Sequence, residues 1–246
     1  MPAKETEAII LKTHPLGEAD RLVSFFGRSS GRVRGVAGGA RRLKNHYGST
    51  LEVLAHVQIW YVEKETRDLV RIQQCDLLES FHKAQSDYAL STGLAVVSEV
   101  SELVLPEHEA AESMFRLILL ATRSIDRTAN WLWPVSYFAF WTVKLGGWLP
   151  RFDQCANCGM PFGSQLAYQA PWDDGLHCEK CKRSGMRPLR SESRHIAERF
   201  AGRSLDKIEP DPSQDVFVAE LRDAALNWIE HHVERKIATR SLLETP

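Results

Sequence analysis

"DRLVSFFGRSSGRVRGVA", residues 20–37, sets two apolar runs around a turn. The runs "RLVSFFG" (21–27) and "RVRGVAG" (32–38) are rich in valine and phenylalanine, and "GRSSG" (27–31) joins them. Such residues fit a pleated, half-buried surface, so the stretch predicts two strands and a tight connection. In the second run Arg32 and Arg34 alternate with Val33, which puts both arginines on one strand face. On either side, "EAIILKT" (7–13), "LEVLAHVQIWYVEK" (51–64) and "LVRIQQCDLL" (69–78) have the same character. The turn material "HPLGEAD", "GARRLKNHYGS" and "ETRD" separates them. Five short strands in about 75 residues predict a small closed barrel or a sandwich, and a five-strand barrel of this size matches the OB-fold.

The same region carries a local charge excess. No acid lies between Asp20 and Glu52, whereas Arg21, Arg28, Arg32, Arg34, Arg41, Arg42 and Lys44 give seven cations. Residues 1–80 as a whole hold 12 basic and 10 acidic residues, and the full chain has a net charge of -1. The excess therefore belongs to one face and to the loop "GVAGGARRLKNHYG" (35–48), in which glycines flank the cations. Such a loop can track phosphates, and a solvated strand face carries charge as well. Phe25, Phe26, Tyr47, Trp60 and Tyr61 could stack on bases, but a small barrel needs most of them as filling.

After Phe81 the apolar period lengthens to that of a helix. Leu90, Leu94, Val97 and Val104 mark one helix, and "ESMFRLILLATRSID" (112–126) a second. "NWLWPVSYFAFWTVKLGGW" (130–148) reads as a third, nearly buried, with Pro134 in its first turn and Gly146-Gly147 at its end. On the second helix Arg116, Arg123 and Arg127 fall at i, i+7 and i+11, which aligns them on one face beside Phe115 and Leu119. That ridge suits an acidic peptide or plain solvent. Near the end, "DPSQ" (211–214) predicts a helix start, with Asp211 as cap, Pro212 first and Gln214 reaching back. Phe217, Leu221, Ala225 and Trp228 would then form its buried face, packed on the earlier helices.

Four of the five cysteines are paired: Cys155-x2-Cys158, nineteen residues, then Cys178-x2-Cys181. A two-residue gap lets both thiolates of a knuckle face one ion, and two knuckles complete a tetrahedron. Gly159 and Gly175 allow the tight backbone this requires. Four thiolates leave no open coordination position, so the reading is one structural zinc ion. Free or disulfide-paired thiols and a thiol-redox role are the alternatives. Cys75 stands alone in an apolar strand, and His177 and His195 are surplus to a four-thiolate site. The expected fold class is α+β multidomain. Its parts are an OB-fold barrel (1–80), the first part of a helical domain (81–150), an inserted four-cysteine zinc module (151–190), and C-terminal helices packing on the helical domain (191–246).

Several function classes find no support. No lysine directly follows a glycine, so no P-loop is present. GxSxG, HExxH and the zinc-deaminase pattern are also missing. Nothing nominates an enzyme. The longest apolar run, 131–143, is too short to span a bilayer, which needs about 20 residues. The opening "MPAKETEAII" has no signal-peptide h-region. A cytoplasmic location is expected.

These motifs together resemble one family. "GEADRLVSFFGRSSGRVRGVAGGARRLKNHYGSTLEVL" (17–54), "GWLPRFDQCANCGMPF…GLHCEKC" (147–181) and "HHVERKIATRSLL" (231–243) are similar, in this order, to segments of the bacterial recombination mediator family RecO. The resemblance implies binding to single- and double-stranded DNA and annealing of complementary strands. It implies RecR and the C-terminal tail of the single-stranded DNA-binding protein SSB as partners, help in loading RecA, and work at the nucleoid. Arg21, Arg41, Arg42 and Lys44 stand at the family's DNA-contacting positions, and Arg116, Arg123 and Arg127 are candidates for the tail. Lys44-Asn45-His46 stands where the family commonly has Lys-Ser-Arg. A zinc-stabilised protein scaffold that touches no DNA is the competing reading.

Overall fold

The computed structural model describes residues 3–64 and 68–244. The turn read at "ETRD" lies largely outside them. The chain forms two compact units, Met1–Asp126 and Arg127–Pro246.

The first unit opens with five strands: β1 (Lys4–Leu16), β2 (Asp20–Gly27), β3 (Gly31–Ala37), β4 (His56–Val62) and β5 (Val70–Glu79). They close into a barrel in the order β1-β2-β3-β5-β4, with β1 meeting β4 antiparallel and β3 meeting β5 parallel. This is the OB-like barrel that the five apolar runs and their turns predict. Val23, Phe25, Val33, Val57, Ile59 and Ile72 point inward and are buried. Phe25 and Tyr61 pack with ring centroids 5.4 Å apart, and full burial of each such apolar side chain contributes about 1.5–3 kcal/mol.

One expected strand is shorter than its apolar run. Residues 51–55 form turns, and β4 begins only at His56. Leu51 and Ala55 instead enter the barrel core, while Leu54 takes φ +64 and donates its N–H to the Ile10 carbonyl at 2.6 Å. Hydrophobicity there marks a plug, which a periodicity argument reads as strand.

Helices α1 (His82–Ser86), α2 (Tyr88–Val104) and α3 (Glu112–Thr128) follow. Asp87 caps α2 by accepting from the Leu90 N–H. Polar ties fix α2 to the barrel: Ser98 Oγ donates to the Leu11 carbonyl at 2.5 Å, and Ser24 Oγ to Glu102 Oε2 at 2.7 Å. At the start of β3, Gly31 (φ +72) lies so close to the chain that a Cβ would sit 2.3 Å from the Glu109 N. The compact boundary falls at 126/127, whereas the sequence reading sets boundaries at 80 and 150. Helical period shows that a helix has an apolar face but not which surface that face covers.

The second unit holds α4 (Leu132–Leu145), the short strands β6 (Ala167–Gln169), β7 (Leu176–His177) and β8 (Arg187–Leu189), α5 (Ser191–Gly202) and α6 (Asp215–Val233). Helix α6 packs on α4 and α5. Trp133, Phe138, Phe140, Phe200 and Trp228 are fully buried. Asp211 caps only a single 3-10 turn over Pro212–Gln214, and α6 begins at Asp215. Gln214 does not reach back as a capping-box partner; its Oε1 accepts from Arg199 Nη1 at 3.2 Å. Val218, Leu221, Ala225 and Trp228 form the buried face, with Phe217 only half-buried. Among the described residues no helix is long and apolar enough to cross a membrane.

Candidate nucleic-acid interface and metal site

The seven cations of the basic window divide into two groups. The first group is engaged inside the unit. Arg28 donates to Glu7 Oε2 at 2.6 Å and to both oxygens of Glu112 at 2.8 Å, and its guanidinium lies 5.1 Å from the Phe115 ring centroid. Arg32 donates to the Leu105 carbonyl and approaches Glu102 and Glu107 at 3.2 and 3.4 Å. Arg34 meets Glu107 at 3.1 Å. Arg32 and Arg34 do share one face, as the alternation requires. Acids from residues 102–112, remote in sequence, cover that face and turn the expected phosphate track into structural ion pairs.

A charged chain extends from this group. His56 Nε2 lies 2.7 Å from Glu7 Oε1, and Arg123 binds Glu79 at 2.7 Å. Burial pushes the Glu7 carboxyl up, but hydrogen bonds from Arg28 and His56 outweigh it and hold the carboxyl below its usual 4.5. The Glu112 carboxyl is also lowered, chiefly by Arg28. A carboxylate with a depressed folded-state pKa stabilises above its unfolded pKa, and that stability is lost as pH falls through the folded value. Glu7→Gln should therefore lower stability at pH 7 by about 1–3 kcal/mol, and the difference from the parent should shrink towards pH 3. Urea midpoints at the two pH values check this.

The second group has no carboxylate within ion-pair distance among the described residues: Arg21, Arg41, Arg42 and Lys44. Three bonds tie the loop that carries the last three to the β1–β2 turn. The Gly39 N–H donates to Asp20 Oδ1 at 2.7 Å, the Arg41 N–H to the Ala19 carbonyl at 2.9 Å, and Arg41 Nη1 to the Gly17 carbonyl at 2.5 Å. Arg21 pairs in register with Ala37, immediately before the loop, so the four cations gather at one end of the barrel. Asn45 shapes the tip by accepting from the N–H groups of Tyr47 and Gly48, each at 3.0 Å. His46 packs against Tyr47 with ring centroids 3.9 Å apart and planes tilted by 36°, and Tyr47 is buried, donating its hydroxyl to the Ile72 carbonyl. Arg71 is a cation that the window count missed. It is exposed on β5 opposite Val36, one residue before Ala37, and its signal was only the strand alternation.

On α3, Arg116, Arg123 and Arg127 are all exposed, but Arg123 is bound to Glu79.

The four paired cysteines come together. The sulfur atoms of Cys155, Cys158, Cys178 and Cys181 lie within 4.8 Å of one another and could hold a metal ion. Each knuckle closes on its own backbone: the Gly159 N–H donates to the Cys155 carbonyl, with Gly159 at φ +71, and the Cys181 N–H donates to the Cys178 carbonyl. Gly175 serves close approach, since a Cβ there would sit 2.6 Å from that of Ala156. Burial pushes the Cys155 thiol up, but backbone N–H groups of Cys158, Cys178 and Asn157 outweigh it and bring it down to about 6. The Met160 N–H pulls Cys158 down, yet the surrounding thiols and burial drive it to about 11. Four thiolates cannot coexist so closely without a cation among them. The module is anchored by the buried Arg194, which donates to the carbonyls of Phe152, Gly163 and Gln165.

The family model for the recombination protein O N-terminal region matches residues 1–81, and that for its C-terminal region matches 85–241. The chain belongs to the recombination protein O (RecO) family. It is 36% identical to a DNA repair protein RecO of Koribacter versatilis over 98% of both chains. RecO proteins of Syntrophobacter fumaroxidans and Nocardioides sp. are 29% and 30% identical, covering 97–99% of this chain and 98% of each relative. The RecO family is one of DNA repair, which assigns this chain to that process.

Proposed function

We propose that this protein binds single- and double-stranded DNA through the carboxylate-free cations at one end of its barrel, anneals complementary strands, and acts with RecR to load RecA on SSB-coated DNA. The observation that carries the reading is the division of the basic window. Among the described residues, Arg21 on β2 and Arg41, Arg42 and Lys44 on the loop tied to the barrel end have no carboxylate within ion-pair distance, whereas their neighbours are paired. Two complementary strands repel through their phosphates. Cations that displace condensed counterions lower that repulsion and leave the base edges open to pair. No chemical step is required, so the role is non-enzymatic, and the place of action is the cytoplasm at the nucleoid. Arg116 and Arg127 are each candidate contacts for the acidic SSB tail. Arg123 would first have to release Glu79.

The metal is zinc in this reading, held by Cys155, Cys158, Cys178 and Cys181. Zinc–sulfur bonds of about 2.3 Å in a tetrahedron set sulfurs about 3.8 Å apart, and Cys158 and Cys178 Sγ are 3.7 Å apart. Four sulfur ligands close the ion to water and substrate, so it supplies folding free energy alone.

Titrating the full chain with fluorescent oligonucleotides at several salt concentrations tests the proposal. Five contacts, counting Arg71, predict that log affinity falls with log salt at a slope of about -3.5 for a single strand. Annealing of SSB-coated strands should follow the same salt dependence. No detectable affinity at low salt, with stable association to RecR, would make the protein a scaffold instead.

A further inference from the structure

The zinc module carries a charge excess of its own. Between Cys178 and Arg190 stand Lys180, Lys182, Arg183, Arg187 and Arg190 against the single acid Glu179. Two of the five are engaged: Lys182 lies 3.3 Å from Glu179 and over the Tyr168 ring, and Arg190 binds Glu220. Lys180, Arg183 and Arg187 are exposed and have no carboxylate within ion-pair distance among the described residues.

An aromatic ring stands beside two of them, Arg183 and Arg187. Trp172 is 49% exposed, unlike the fully buried Trp133 and Trp228. Its six-membered ring rests on Gly185, where a Cβ would come within 2.8 Å of the ring Cη2. Gly185, at φ +85, belongs to the tight turn that Arg183 and Met186 close through their N–H groups, and Arg187 follows directly. Two residues span at most about 7 Å of chain, so Arg183 and Arg187 flank the ring's seat. Of the acids next to Trp172, Asp173 accepts from the Gly175 N–H and contacts His177, and the exposed Asp174 lies 2.9 Å from His232.

We infer that Trp172, with Lys180, Arg183 and Arg187, is a second surface for single-stranded nucleic acid, separate from the barrel loop. A seated, half-open indole between unpaired cations offers a stacking platform to one base and counter-charge to the phosphates beside it. A duplex keeps its bases stacked inside and cannot use the ring in this way. The inference extends the proposed function from one strand surface to two, and it rests on residues that function does not use.

The test photocrosslinks a 5-iododeoxyuridine oligonucleotide to the zinc-loaded full chain and maps the joined peptide by mass spectrometry. The parent and Arg41→Ala/Arg42→Ala are both examined. A crosslink at Trp172 in both proteins is expected. In the double-variant background, Trp172→Leu should weaken binding at least fivefold, the lower end of one stacking contact. Arg183→Gln/Arg187→Gln should reduce the salt slope by about 1.4. Zinc content and thermal melting establish that each variant is folded. Crosslinks confined to residues 38–48 overturn this surface and leave the barrel reading standing. Crosslinks at Trp172 alone, with parent-like affinity of the double variant, support the surface and overturn the barrel reading. Capture of an acidic peptide at Trp172 without any DNA crosslink overturns the inference in favour of a protein partner.

Discussion

Cys155→Ser should strip the chain of its metal and unfold residues 150–190 while leaving the α4–α5–α6 core in place. The strands of the module have three, two and three residues, and its buried apolar side chains are few: Phe162, Ala167, Tyr168, Leu176, Met186 and Leu189, with Ala170. That core is far too small for independent stability, whereas a structural zinc ion in small peptides contributes about 10–16 kcal/mol of apparent binding free energy. The buried core of α4, α5 and α6 is formed by Trp133, Phe138, Phe140, Phe200 and Trp228, of which Phe140 and Trp228 also pack on Phe152 at the edge of the module. Metal analysis should find about one zinc per parent chain and none in the variant. Limited proteolysis should then cut the variant between residues 150 and 190. Cys75→Ser is the control. Cys75 is buried in the barrel, where burial pushes its thiol up to about 11, and its loss should leave the zinc content unchanged. A Cys155→Ser protein that keeps both its metal and its protease resistance would show that the knuckles hold together by other means.

The sequence and the structure agree where information is local. The valine and phenylalanine of 21–27 and 32–37, bounded by turn residues, are enough to place β2 and β3, because such side chains fit a pleated sheet. The spacing of Cys155, Cys158, Cys178 and Cys181 is enough to bring four sulfurs together, because each knuckle is a closed turn of its own backbone. Agreement ends where the partner is distant. Arg32 looks free in its own segment, and its acids come from Glu102 and Glu107, some 70 residues on. The plug at 51–55 and the compact boundary after Asp126 are likewise set by tertiary packing. Trp172 is the reverse case. Its sequence context is a loop, and only its seat on Gly185 shows that the ring is half open.

That sorting of the arginines yields the sharpest expected contrast. Arg41→Ala/Arg42→Ala should leave the fold intact, since Arg42 makes no side-chain bond among the described residues and Arg41 only an exposed one to the Gly17 carbonyl. Removing two phosphate contacts should reduce the salt slope for a single strand by about 1.4 and the affinity at low salt by about 10- to 100-fold, equally for all sequences. Annealing should slow in step. Arg32→Ala removes the same formal charge from the same window with the opposite consequence. It withdraws a donor from the Leu105 carbonyl, leaves the half-buried Glu102 without its cation, and leaves the exposed Glu107 with Arg34 alone. The cost should be about 1–3 kcal/mol of stability, with a salt slope like the parent's. Net charge alone would make the two substitutions alike in slope per charge removed. Geometry separates them, because a largely buried guanidinium held between two carboxylates has its charge already balanced and little left to attract a phosphate. Equal slopes per removed charge for Arg32→Ala and the loop variant would mean that the strand lies across the Glu102–Glu107 face. The ion pairs there would then have to open on binding.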